Sequence, residues 1–467
     1  MTYTIQSSFD LNSACKTSSL LGSPVQEKVI EILQEALQAA NPALATQRAI
    51  RRDGNRLIIQ DQIFDLQTVG RLFVIAIGKA SLPMTQAIAG ILGNRLERAI
   101  VLVKEGYYCA EYFENLQEQV SVYEAGHPIP DERGVQTSLK ILKLLEDTTS
   151  EDLVICLISG GGSALLTAPV EGITLQELQS MTEAMLECGA TIFEINPVRK
   201  HLEKLKGGQL AQYAAPARVV SLILSDVVGN PLDVIASGPT VPDPSTYQEA
   251  LQVLERYQLV TNLPASIITH LREGADGIHP ETPKPGNPTF DYVSNLIIGS
   301  NRLACQAALA KARQLGFNSM ILTTYLQGEA RQAGKFIAAI AREIEAAQQP
   351  VARPAFLIVG GETTVTIRGK GYGGRNLEVA LGAVADLAGL NNVILITLAT
   401  DGGDGPTDAA GAIVSSETLD RARKLGLDPT DYLARNDSYH FFEPLGDLLK
   451  PGPTQTNIND LTFLFVF

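Results

Sequence analysis

The chain has 467 residues, 45% hydrophobic and 19% charged, and its 37 Lys and Arg face 51 Asp and Glu for a formal net charge of −14. This is the composition of a globular protein long enough for two or three domains, and it excludes a mainly disordered chain. The acidic balance argues against a nucleic-acid surface, while a local cluster of Lys and Arg can still take an anionic small molecule.

Residues 1–24 are polar and read as a loose lead-in. Ser23 as N-cap and Pro24 at the first helical position open a helix through "SPVQEKVIEILQEALQAANP", with Val29, Ile30, Leu33 and Leu37 at helical spacing. Strand and helix then alternate: "RLFVIAIG", "SLPMTQAIAGILG", "RAIVLV", "VQTSLKILKLLED", "DLVICLIS", "TLQELQSMTEAMLECG", "NPVRKHLEKLKGGQLAQYA" and "RVVSLILSD". The strands are continuous apolar runs, as expected of parallel strands covered on both faces. The fold class is therefore α/β, two domains of mostly parallel sheet covered by helices, with the active site expected in the cleft between them. Pro- and Gly-rich residues 260–292 predict an exposed connection. The expected domains are 25–260 and 261–467, the latter resuming with "NLIIGS" and closing on a strand in "DLTFLFVF".

Five scattered cysteines (Cys15, Cys109, Cys156, Cys188, Cys305) without CxxC spacing predict reduced, mostly buried thiols rather than a zinc site or disulfides. The start lacks a basic-then-apolar signal pattern, and no apolar run nears the roughly 18 residues of a membrane span. The expectation is a cytoplasmic protein without membrane or nucleic-acid partners; a homodimer is compatible with the sequence.

The unusual clusters fall just past the carboxyl ends of apolar strands, where ligands of open α/β sheets bind. Gly78-Lys79 follows "LFVIAI"; Ser159-Gly160-Gly161-Gly162-Ser163 follows "DLVICLI"; Asp226 follows "RVVSLIL"; Glu362 follows "AFLIVGG"; Asp401 and Asp404 follow "NVILITLA". The glycine loop can offer bare amides to an anion at a helix start, or it is a turn that needs positive φ. Lys79 reads as a point charge for a phosphoryl group, or as a solvated strand-end lysine. In "NPVRKHLEKLKGG" helical spacing puts Arg199 and Lys206 near one face, forming an anion clamp or a solvated helix face. The three carboxylates Asp401, Asp404 and Asp408, like Asp226, suit a Mg²⁺–phosphate site, or Asp-Gly turns. "RGKGYGGRN" matches G-x-G-x-x-G through Gly369, Gly371 and Gly374, which supports a rival dinucleotide site. The preceding "TTVTIR" alternates in polarity, unlike a strand buried on both faces, and this counts against the rival. Arg375 suits bidentate contact with a carboxylate or phosphate. His127 in "GHPIPDERG" can touch the cleft, or Pro128 and Pro130 make this a shaped turn.

Taken together, "VIAIGKAS", "EAGHPIPDERG", "SGGGSALL", "NPVRKHLEKLKGGQLA", "SDVVGNPLDVIASGPTVPDPST", "GGETTVTIRGKGYGGRN", "TDGGDGPTDAAGA" and "GPTQTNINDL" resemble, in order, the glycerate 2-kinase family, whose C-terminal part is the MOFRL domain (here about 355–465). The resemblance implies phosphorylation of D-glycerate at its 2-hydroxyl by ATP with Mg²⁺, and a catalytic pair falling on Lys79 and Arg375. The candidate site is then Lys79, Arg375 and Asp226 for catalysis, and Ser159, Gly160, Gly161, Gly162, Ser163 and Lys206 for phosphate. Arg199, Glu362 and Asn376 would contact substrate, and Asp226, Asp401 and Asp404 would hold metal. Asn230, Glu203 and Pro451 depart from the family pattern. The rivals are an NAD(P)H-dependent hydroxypyruvate reductase resting on Gly369–Gly374, and a non-catalytic sugar-acid sensor.

Overall fold

The structure, a computed structural model, describes residues 11–108 and 118–467, so Cys109 and the first ten residues of the lead-in lie outside the described residues. The chain folds as two compact units, Pro42–Ile298 and Met1–Asn41 with Gly299–Phe467.

The unit Pro42–Ile298 begins with a small antiparallel sheet of β1 (Ile50–Asp53), β2 (Arg56–Ile59) and β3 (Gln62–Asp65). Its main sheet contains β4 (Leu72–Ile77), β5 (Arg98–Lys104), β6 (Val120–Ala125), β7 (Leu153–Ile158), β8 (Arg218–Leu224) and β9 (Val293–Gly299), in the order β6-β5-β4-β7-β8-β9. The pairings of β4 with β5 and β7, β5 with β6, and β7 with β8 are parallel. Every residue of β4 and β7 is buried; on one face Phe73, Ile75, Ile77, Val154, Cys156 and Ile158 pack into a core with Leu102, Leu165 and Leu210. From β4 the chain winds outward through β5 and β6, then returns to β7 on the other side. The order thus reverses between β4 and β7, the topological switch point at which open α/β sheets form their ligand crevice. Register places Ile77 opposite Ile158, so Gly78 and Ser159 leave the sheet side by side.

Three expectations change here. The Pro-rich stretch after residue 260 is not the domain division. Helix Ala265–Ala275 buries Ile267, Ile268 and Leu271 against Leu178, Met181 and Leu254, which ties the segment into this unit. The lead-in is not loose where described: Leu20 is fully buried, and Ser19 hydrogen-bonds the buried Asp447 carboxylate through both its amide (2.8 Å) and its hydroxyl (2.9 Å). Finally, the helix after Ala190 stops at Leu202, where Glu203 becomes extended and bridges to Pro169, and a separate helix follows at Gln209–Ala214.

In the other unit, helix Gln26–Ala40 packs on helix Asn301–Gln314. The former starts two residues beyond the expected Pro24, with Val25 at its N-cap. The sheet contains β10 (Asn318–Leu326), β11 (Ala355–Gly361), β12 (Val393–Ala399), β13 (Gly411–Ser415), β14 (Leu448–Leu449) and β15 (Asp460–Val466), in the order β10-β11-β15-β12-β13-β14. β10 and β11 are parallel, while β15 inserts antiparallel between β11 and β12. The helix-covered α/β class stands, with this second sheet mixed. The insertion brings Asp460 opposite both Gly361 and Ala399, so the first residue of β15 meets the carboxyl ends of its two neighbours.

Candidate functional site

At the switch point the backbone is fixed by side chains and amides of the glycine loop. Lys79 N–H donates to the Gly160 carbonyl (2.9 Å), Ser159 N–H to Ile77 (2.9 Å), and Ala80 N–H to Ser159 Oγ (3.1 Å). Ser159 is 1% exposed, so its hydroxyl serves this strand junction and is not offered to a ligand. Gly161 is the loop residue that must be glycine twice over. Its φ is +84°, and a Cβ there would sit 3.0 Å from the His127 ring and 3.5 Å from Lys79 Cγ. That space is what lets Lys79 and His127 face one another. Gly160 similarly lies against the Asp226 carboxylate, whose Cγ would be 2.7 Å from a Cβ at Gly160. The expected helix after the loop is a single turn, Gly162–Leu165, too short to bring a useful helix dipole. Ser163 hydrogen-bonds Ser237 (2.7 Å), which donates to Asn196 (3.0 Å). Next to it, Ala236 and Ser237 hold positive φ of 50° and 60°, a conformation costly for residues with a Cβ and typical of ligand-binding segments.

The basic run separates by role. Lys206 is wholly buried, donating to the Leu166 carbonyl (2.6 Å) and Glu203 (2.7 Å), and burial lowers its pKa to about 8. Its expected phosphate role is overturned: the ammonium is already partnered and has no exposed surface. Glu203, a departure from the family pattern, is what pairs it. Lys200 is likewise partnered, by Asp243 at 3.0 Å. Arg199 differs. It is 7% exposed, and among the described residues its side chain makes no hydrogen bond or ion pair. Burial pulls its pKa down, opposed only by the charge of Glu203, which Lys206 already holds. An unpaired buried guanidinium is costly, so its presence points to an anion supplied from outside the chain. The sequence missed this contrast between Arg199 and Lys206, because the helix end at Leu202 breaks the spacing assumed for them.

His127 lies in the same cluster. Burial and the charges of Lys79, Lys104 and Arg199 lower its pKa from 6.5 to about 4. The folded value lies below the unfolded one, so protonation favours the unfolded chain. The histidine therefore costs no stability above pH 6.5 and a growing amount as pH falls towards 4. In an NMR titration the ring should stay neutral to near pH 4, and its pKa should rise when inorganic phosphate is added. A ring titrating at 6.5 and unmoved by phosphate would dissolve the cluster.

In the other unit, Arg375 is the first residue of helix Arg375–Leu387. Its Nε lies 2.6 Å from Asp460 Oδ2, its Nη2 donates to Asp460 Oδ1 (3.2 Å), and its Nη1 donates to Glu362. The second Glu362 oxygen accepts from Asn459 (3.0 Å). Asn376 is buried and donates to Asp460 (2.9 Å). It therefore positions this cluster, and the expected substrate contact is corrected. Asp404 accepts from the amides of Asn376 (3.1 Å) and Leu377 (2.8 Å), capping the helix from a distance. Burial raises the pKa of Asp404 to about 6 and that of Asp460 to about 7, each opposed by Arg375. With both oxygens on backbone amides, Asp404 is not free to hold metal. Asp401 is exposed, and its carboxylate accepts from the amide of Gly403 (3.3 Å) in an Asp-Gly turn. Among the described residues no three His, Cys, Asp or Glu side chains are grouped to hold a metal ion.

The rival glycine motif loses its physical basis. "TTVTIR" is not a strand. The amides of Arg368 and Gly369 donate to Asn436 Oδ1 (2.7 and 3.0 Å), that of Gly371 to Arg435 (2.9 Å) and that of Tyr372 to Asp437 (3.0 Å). The loop packs on its own chain, leaving those N–H groups none to offer a pyrophosphate.

Comparison with known proteins places this geometry in context. Residues 28–272 match the domain of unknown function DUF4147, and residues 355–460 match the MOFRL family. A D-glycerate 2-kinase of Thermotoga maritima is 42% identical over 440 residues, covering 94% of this chain and 97% of its own length. The crystal structure of a glycerate kinase from Thermotoga maritima superposes with a TM-score of 0.84 at 40% identity, covering 94% of this chain and 99% of its own. A relative from Agrobacterium vitis, which carries a hydroxypyruvate reductase name, is 39% identical over 399 residues, 85% of this chain and 87% of its own length.

Proposed function

This chain belongs to the glycerate 2-kinase family, and we propose that it transfers the γ-phosphoryl group of ATP to the 2-hydroxyl of D-glycerate, yielding 2-phosphoglycerate and ADP. The observation that carries the reading is the buried, unpartnered Arg199 sharing the switch-point cluster with Lys79 and His127. Both co-substrates bring fixed negative charge, and the cluster supplies cations that the rest of this acidic chain has left unneutralised.

In the transfer, the hydroxyl oxygen forms a bond to the γ-phosphorus as the bond to the β,γ-bridging oxygen breaks; the electron pair leaves with ADP and the hydroxyl proton is released to solvent. Such a reaction needs positioning and charge neutralisation more than covalent help. Lys79, fixed at the end of β4 by the Gly160 carbonyl, neutralises charge on the moving phosphoryl group. Arg199 holds the carboxylate of glycerate, and neutral His127 offers a hydrogen bond to a substrate oxygen. The Gly160–Gly162 backbone supports the phosphates. Arg375 donates one hydrogen bond from Nη2 to Asp460 and one from Nη1 to Glu362, with its Nε in ion-pair contact with Asp460 Oδ2, leaving one N–H on each Nη for a substrate oxygen.

Magnesium ions favour one or two carboxylates completed by phosphate oxygens and water, and Asp226 at the end of β8, against Gly160, fits that demand better than Asp401 or Asp404. Bound there, Mg²⁺ would supply further neutralisation of the phosphate charge. The spent amides of the 368–372 segment favour this reading over the reductase.

The deciding assay mixes purified protein with D-glycerate, ATP and MgCl₂ and follows ³¹P NMR. A 2-phosphoglycerate resonance that disappears with EDTA is the expected result. No phosphorylated product, together with NAD(P)H consumption on hydroxypyruvate, would overturn the proposal.

A further inference from the structure

We infer that Asp460 is the positioning residue that aims Arg375, and that the Asn459-Asp460 end of the motif "GPTQTNINDL" serves that purpose. The inference rests on the place given to Arg375 in the kinase reading.

The topology makes the case first. β15 runs antiparallel between β11 and β12, so its first residue is the one position on that strand that meets both of their carboxyl ends. A carboxylate there reaches the guanidinium edge formed by Nε and Nη2, at 2.6 and 3.2 Å. Its Oδ1 also accepts from Asn376 on the same helix turn as Arg375, and that turn is held in place by the Asp404 cap. Asn459, the preceding residue, adopts φ +69° and secures Glu362, which takes the remaining Nη1 contact. Two adjacent residues, Asn459 and the first residue of β15, thus set both acids around one arginine.

The two acids differ in what they permit. The side chain of Asp460 is 10% exposed and that of Glu362 is 43% exposed. Asp460 is a fixed anchor behind the arginine, whereas Glu362 stands at the open side, where an incoming anion can take its place. A guanidinium held by its Nε edge keeps one orientation when that exchange occurs. Without the anchor it would follow the ligand, and the reacting atoms would lose alignment, which costs about 10²-fold for a displacement near 1 Å.

The test is a double-mutant cycle in the full chain, with steady-state kinetics on D-glycerate and ATP. Asp460→Asn should lower kcat about 10²-fold while both KM values move less than about threefold. In an Arg375→Ala background the same substitution should add less than about threefold. A wild-type kcat for Asp460→Asn beside an inactive Arg375→Ala, or full additivity of the two, would overturn the inference while leaving the kinase reading standing. A wild-type Arg375→Ala would instead remove Arg375 from the chemistry and the inference with it. Should Asp460→Asn fail to fold, Asn376→Ala removes the amide partner but keeps the charge. It should lower kcat about tenfold at unchanged KM, and an unchanged kcat would overturn the inference equally.

Discussion

Replacing Lys79 with alanine should lower kcat about 10³-fold while the protein stays folded. The size follows from what the lysine does: a fixed positive group on a transferring phosphoryl, of the kind whose removal costs between 10² and 10⁵ in related charge-stabilised reactions. The folding claim follows from the backbone. The turn at Gly78–Ala80 is held by the Lys79 amide and by Ser159, not by the lysine side chain. Among the described residues the ammonium itself has no ion pair to lose. Stability should therefore move within about 0.5 kcal/mol. Lys79→Arg should recover little, because a planar fork does not reproduce a compact ammonium at the same point. Activity within tenfold of wild type in Lys79→Ala would show that the lysine is only a solvated strand end.

Arg199→Met should separate binding from stability in opposite directions. Arginine here is buried without a partner and raises the cost of charging both Lys206 and His127. A methionine of similar length removes a desolvated charge, so the melting temperature should hold or rise. Glycerate loses its charged contact, a change of about 2 kcal/mol or more, so KM for glycerate should rise at least 30-fold. Differential scanning calorimetry and initial rates measure the two effects on the same preparation. A fall in stability of about 3 kcal/mol with KM unchanged would make Arg199 a structural residue whose partner is within the protein.

The contrast between Arg199 and Lys206 also marks how far the sequence could be read. Both are cations in one basic run, and helical spacing gave them one face. The chain leaves the helix at Leu202 because Glu203 pairs across to Pro169, and that long-range contact has no local signal. The same holds for Asp404. Three acids after a buried strand suggested metal, yet Asp404 turns inward to cap a helix 27 residues earlier. Asp460 carries no local signal of its role, because its partner Arg375 lies 85 positions away.

The sequence by itself determined the α/β class, most strands and helices, and the placing of Lys79, the glycine loop, Asp226 and Arg375 just past strand ends. Apolar runs and glycine positions are local quantities, and burial of both faces leaves an imprint on every residue of β4, β7 and β11. Only the tertiary structure decided the antiparallel entry of β15, the division of the chain into its two units, and which charged groups are spent and which remain free. Those depend on pairings between residues tens to hundreds of positions apart, where the energy lies in partners met through folding rather than in any neighbour along the chain.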